Sequence, residues 1–161
     1  MAYTNFSIQF KKTTDLSAEH KLRIIEIWNS VYPATLSYSK PKEFDEYLSR
    51  LGDIRHYLAI NKDQLVGWMP VFEREGEPWF AILMHTDFQG NGVGKNLLNF
   101  ARQEENLLNG WVIDKEGFTK QNGEPYHSPL PFYLQQGFQV LPGTRLESAE
   151  LSAVKIRWIR K

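Results

Sequence analysis

The chain has 161 residues, 42% of them hydrophobic and 14% aromatic against 24% charged, the balance of one ordinary globular domain and not of a disordered chain. Nineteen Lys plus Arg against nineteen Asp plus Glu leave no net charge, which disfavours a polyanionic partner such as nucleic acid. There is no cysteine, which excludes disulfides, iron–sulfur sites and every thiolate nucleophile.

Phe6, Ile8 and Phe10 alternate with polar neighbours and predict a first strand over 5–12. Ser17 is an N-cap candidate for an amphipathic helix carrying Leu22, Ile25, Ile27 and Trp28 and stopping near Pro33. Residues 34–41 have no clear period; Phe44, Tyr47, Leu48 and Leu51 then predict a short helix running to Gly52. Strands are expected at 55–61, 64–75 and 78–85, joined by turns short enough for an antiparallel meander. Beyond Gly94, Leu97, Leu98, Ala101 and Leu107 fall at helical spacing, and a strand at 110–114 completes a parallel crossover. After a loop at 115–127, Ser128 and Pro129 predict the cap and first residue of a helix ending at Gly137. Final strands are expected near 138–141 and 152–160. The longest apolar run, Trp79 to Met84, has six residues, too few for a membrane span, and the N-terminus has no export pattern. A cytoplasmic address is expected by default.

The segment from Met84 to Lys95 lies between a predicted strand and a predicted helix and contains Gly90, Gly92 and Gly94. Glycines there let the backbone approach a bulky anion, and the unpaired amides of the first helical turn point at it, which suits a pyrophosphate. The spacing is not the G-x-G-x-x-G of a dinucleotide fold, and no Gly-Lys-Ser/Thr ending marks a nucleoside-triphosphate loop.

Gln89, Gly92 and Gly94 instead match, position by position, the Gln/Arg-x-x-Gly-x-Gly/Ala loop of the GNAT superfamily of acyl-CoA N-acyltransferases. About forty residues on, Phe132-Tyr133-Leu134-Gln135-Gln136-Gly137-Phe138 resembles that family's aromatic-Tyr-x-x-x-Gly-Phe signature, and Leu65-Val66-Gly67-Trp68 is similar to its third strand. Thr86 departs from the family's usual Pro. The order of elements extends the resemblance over nearly the whole chain. It implies an α+β fold, a single domain over 1–161, with a mixed, mostly antiparallel twisted sheet of about six to seven strands and about four helices. That sheet would splay between strands 78–85 and 110–114.

The resemblance also implies acetyl-CoA as co-substrate and direct transfer of its acetyl group to a primary amine in a ternary complex. Main-chain groups of Ile82, Leu83 and Met84 would hold the pantetheine, and amides of Gln89, Gly90, Asn91, Gly92, Val93, Gly94 and Lys95 the pyrophosphate. Tyr133 would be the general acid toward the leaving thiolate. His85 is a candidate base or relay, with a hydrogen-bonded turn histidine as its equal alternative. Trp28, Tyr32, Tyr38 and Tyr126 sit on or near the irregular segments where the family builds its acceptor site, for a small-molecule or peptide amine, with plugs of a minor core as the equal alternative for such aromatics. Dimers are frequent in the family, so a homodimer is open.

His20, His56, His85 and His127 share no metal-ligand spacing, and no metal is expected. Glu73, Glu75 and Glu77 read as the solvated face of a hairpin, so no carboxylate base is evident. That lack keeps a non-catalytic acyl-CoA-binding or sensing module as the alternative. The basic, aromatic C-terminal run from Lys155 reads as strand alternation, with Lys155 and Arg157 blunting an edge.

Overall fold

The computed structural model describes residues 6–161; Asn5, where the first strand was expected to open, lies outside them. The strands are β1 (Ile8–Thr13), β2 (Gly52–Asn61), β3 (Gln64–Arg74), β4 (Glu77–Phe80), β5 (Leu83–Met84), β6 (Leu107–Ile113), β7 (Gln139–Glu147) and β8 (Ser152–Ile159). The helices are α1 (Ala18–Val31), α2 (Pro41–Ser49), α3 (Val93–Arg102) and α4 (Leu130–Gln135). The sheet runs β1-β2-β3-β4-β6-β8-β7, with β5 off this path and paired to β3. All pairings are antiparallel except β4 with β6.

Strand alternation sends two sets of side chains to opposite faces. Tyr57, Ala59, Met69, Val71, Leu108 and Ile156 meet Leu97, Leu98 and Ala101 of α3 and Tyr133 of α4. On the other face Leu58, Leu65, Trp68 and Leu83 meet Ile24, Ile27 and Trp28 of α1 and Phe44 of α2. Burying each of these large side chains contributes roughly 1.5–3 kcal/mol. The Ser17 hydroxyl accepts from His20 N–H and caps α1 as expected. The buried stripe of α1 is Ile24, Ile27 and Trp28, whereas Leu22 is exposed.

Several boundaries differ from the expected ones for local reasons. Gly52 opens β2 instead of closing α2, since α2 ends at Ser49 with turn bonds from Arg50 and Leu51. Leu107 begins β6, because α3 ends at Arg102 and its period does not continue. Pro129, not Ser128, precedes the first residue of α4, while the Ser128 hydroxyl accepts from Leu130 N–H. Two short 3-10 turns, Ala34–Leu36 and Thr86–Phe88, carry no sequence period to announce them. β7 extends to Glu147 past a bulge, and the sheet has one strand more than expected because 78–85 is two strands.

β8 is not an edge; it lies between β6 and β7, so Lys155 and Arg157 project from the interior of the sheet. Arg157 holds Glu77 and the side-chain oxygen of Asn109, and Arg55 holds Glu73. Glu73 and Glu77 are therefore ion-paired, and only Glu75 stands free at the exposed turn.

Candidate active site

The expected strand 78–85 breaks at Ala81 and Ile82, and this break makes the site. Before it, β4 meets β6 at a single register pair, Trp79 with Asn109. After it, β5 leaves β6 and stays on β3, with Met84 opposite Gly67 and Leu83 opposite Trp68. The buried side chain of Asn109 spans the junction, donating to Pro78 O and accepting from Arg157. Gly110 is required there, since a Cβ would stand 2.8 Å from the Phe80 ring.

Ladder bonds run from Ala81 N–H to Pro70 O and from His85 N–H to Val66 O. Alternation along an antiparallel pair then turns the main chain of Leu83 toward β3 and those of Ile82 and Met84 away from it, into the splay. This corrects the expectation for Leu83, whose backbone is engaged with Trp68. Met84 O accepts from the Gln89 side chain, which pins the loop to the strand, and Met84 N–H is left facing the gap.

The glycine loop follows. Gly90 and Gly92 have φ of 78° and 81°, in the left-handed region, and nothing lies within 4 Å of where their Cβ atoms would stand. Gly92 is the N-cap of α3, with no side chain capping the helix. Among the described residues, the six successive amides from Gly90 to Lys95 have no hydrogen-bond partner, whereas Asn96 N–H closes the first helical bond on Gly92 O. A run of donors at a helix start is an anion seat.

A cleft of about 990 Å³ passes through the splay and opens on both faces of the sheet. Of the residues expected at the site, Ile82, Leu83, Met84, Gln89, Gly90, Gly92, Gly94, Lys95, Tyr133, Trp28, Tyr32, Tyr38 and Tyr126 line it. His85, Asn91 and Val93 do not. His85 Nδ1 accepts from Asp87 N–H and caps the turn at Thr86–Phe88, Asn91 bonds Gln89 O, and the Val93 side chain is core. The structure thus favours the turn role for His85, and Asn91 and Val93 offer their amides alone.

Tyr133 stands where the two ends of the cleft meet, its ring against Phe80, Phe132 and Phe138. Burial pushes its phenol well above the ordinary value, so the hydroxyl keeps its proton. Burial raises Tyr126 to about 12, and raises Tyr32 with further contributions from Tyr126, Tyr133, Tyr47 and Tyr38. Tyr57 aside, no tyrosine hydroxyl makes a hydrogen bond within the described residues. Sequence reading missed Tyr47, Arg74, Trp79, Trp111 and Lys120, which also line the cleft. Strand alternation would have put Phe72, Arg74 and Trp79 on one face, given the correct hairpin register of β3 and β4.

A family profile described as "Acetyltransferase (GNAT) domain" matches residues 52–140, more than half of the chain. The chain belongs to the GNAT acetyltransferase family. It is thus an acyltransferase, and its splay and glycine loop fall inside the matched region. An aminoglycoside 6'-N-acetyltransferase solved with coenzyme A shares the fold at TM-score 0.70 and 13% identity, over 94% of this chain and 96% of that one. The aminoglycoside 6'-N-acetyltransferase of Enterococcus faecium superposes at TM-score 0.69 and 13% identity over the same shares. An acyl-CoA N-acyltransferase of Pseudomonas aeruginosa does so at 0.66 and 16%, over 98% of this chain and all of that one (100%). These GNAT neighbours share the single α+β domain with its mixed sheet. No curated protein matches the chain by sequence. No helix among the described residues is long and apolar enough to cross a membrane.

Proposed function

We propose that this GNAT domain transfers an acetyl group from acetyl-CoA directly to a primary amine while both are bound. The reading rests above all on the unpaired amides of Gly90 to Lys95 lying in line with the free main-chain edge of Ile82 and Met84. An extended pantetheine fits that edge as an added strand would, and a pyrophosphate fits the amide cradle, with Lys95 beside it. Acetyl-CoA supplies an activated thioester carbon at the end of the edge.

The residues of the chain then divide the work. Met84 N–H, free and facing the gap, donates to the carbonyl oxygen as negative charge develops on it. The amine nitrogen, entering from the α1 side, forms the new C–N bond as the C–S bond breaks. Tyr133, whose phenol burial keeps protonated, gives its proton to the departing sulfur. The proton released by the amine leaves through water and restores the tyrosine, since no Asp or Glu lines the cleft. Most of the acceleration comes from alignment of the two reactants, which reaches about 7–11 kcal/mol in well-oriented systems.

Calorimetric titration with acetyl-CoA, followed by a screen of amines for release of free CoA thiol, tests this reading. Micromolar binding with turnover supports it. Binding without turnover toward any amine leaves an acyl-CoA-binding module, and no binding removes the cofactor site.

A further inference from the structure

The acceptor end of the cleft, on the α1 and α2 face, is basic and aromatic. Trp28, Tyr32, Tyr38, Tyr47, Trp79 and Trp111 form its walls, and its charged lining on this side is Arg74 and Lys120. Arg74 is half-buried, and its guanidinium lies 5.0 Å from the Phe72 ring centroid and 5.3 Å from that of Trp79. Lys155 Nζ stands 4.9 Å from the centroid of the same Trp79. Neither cation has an ion-pair or hydrogen-bond partner among the described residues.

The surrounding carboxylates are engaged elsewhere. Glu77, directly opposite Arg74 in the β3–β4 ladder, is taken by Arg157 through both oxygens. Asp114 is held by both terminal nitrogens of Arg145, and Glu124 lies 3.7 Å from Lys120. Arg74 thus lines the cleft with no carboxylate partner among the described residues, and Lys155 beside the same Trp79 ring supplies none. A guanidinium set beside two aromatic rings and left with free N–H groups can recognise a planar anion in a bidentate way. The unbonded hydroxyl of Tyr47, close enough to feel the Arg74 charge, offers a further donor.

We infer that the acceptor is an amine that also carries a carboxylate on an apolar or aromatic frame, the class of aromatic α-amino acids, with Arg74 binding the carboxylate. The inference rests on the transferase reading above and names its second substrate. A polycation is the opposite of what this wall attracts, so the aminoglycosides named for the structural neighbours do not fit this chamber.

Phenylalanine and phenethylamine differ by the carboxylate alone, as do their N-acetyl products, and the pair is the probe. Initial rates of CoA release with saturating acetyl-CoA should favour phenylalanine in kcat/KM by about tenfold or more, the scale of a charge-assisted hydrogen bond. Arg74→Met should bring that ratio close to one, and Arg74→Lys should restore part of it. Calorimetry of N-acetylphenylalanine against N-acetylphenethylamine on the wild-type protein with CoA reads the same preference without turnover. Preference for phenethylamine, equal binding of the two products, faster acetylation of kanamycin, or a ratio unchanged in Arg74→Met overturns the inference. Loss of the transferase reading itself shows separately, as failure to bind acetyl-CoA.

Discussion

The two ends of the cleft are built from different materials. The cofactor end is main chain: a strand edge, a glycine loop and a helix start, with Gly90 and Gly92 holding positive φ so that amides converge. The acceptor end is side chain: aromatic rings and cations brought together from α1, α2, β3, β4, β6 and the loop at 115–127. On the proposed function, backbone geometry would serve any acyl-CoA, because it reads a shape common to all of them, while side chains would set the choice of amine. The contrast predicts that substitutions at the first end change cofactor affinity, and at the second change which amine is used.

Tyr133 tests the contrast most severely, since it belongs to both ends. Tyr133→Phe keeps the ring packing and removes the proton donor, so kcat should fall by about a hundredfold or more while acetyl-CoA affinity holds. A variant as active as wild type, in steady-state rates, would move the proton donor elsewhere. A second test uses pH to read the packing under one end. His56 lies beneath the acceptor side, accepting from the Trp68 indole N–H, and burial lowers its pKa from 6.5 to about 4. The unfolded chain therefore takes up this proton first as pH falls. The stability contributed is complete above about pH 6.5 and lost as pH drops to about 4, roughly 3 kcal/mol in all. Chemical denaturation across that range should show the loss in wild type and a flatter profile in His56→Gln.

Smaller effects belong to the loop. Gly92→Val forces a β-branched residue into a left-handed conformation, at a cost of about 1–3 kcal/mol, and should weaken acetyl-CoA binding about tenfold or more in calorimetry. Amine discrimination in the residual activity should be unaltered. Gln89→Ala removes the bond to Met84 O and should cost about 1 kcal/mol of thermal stability, read as a lower melting temperature with the amine preference retained.

The same contrast explains what could be read in advance. Gln89, Gly92, Gly94 and Tyr133 announce the cofactor end because a backbone cradle depends on a few consecutive residues, which a single sequence displays. The break between β4 and β5 was not legible, because Trp79 to Met84 is continuously apolar and nothing local ends the strand. It follows from close packing at Gly67 and Gly110, where Met84 and Phe80 occupy the space of an absent Cβ. Arg74 was invisible for another reason: its isolation appears only once Arg157, 83 positions along, has claimed Glu77. Trp28, Tyr32, Tyr38 and Tyr126 could be singled out because they lie on or near irregular segments, but Trp79 and Trp111 meet across strands whose register periodicity does not give.

A free strand edge is also a hazard, for it can template pairing with any extended chain and seed assembly. Here β5 is two residues long and lies off the sheet path, paired to β3 alone. Such an edge is too short to zip onto a neighbouring protein, yet long enough to seat a thin flexible arm. The interruption that creates the cleft thereby also guards the molecule against its own stickiness.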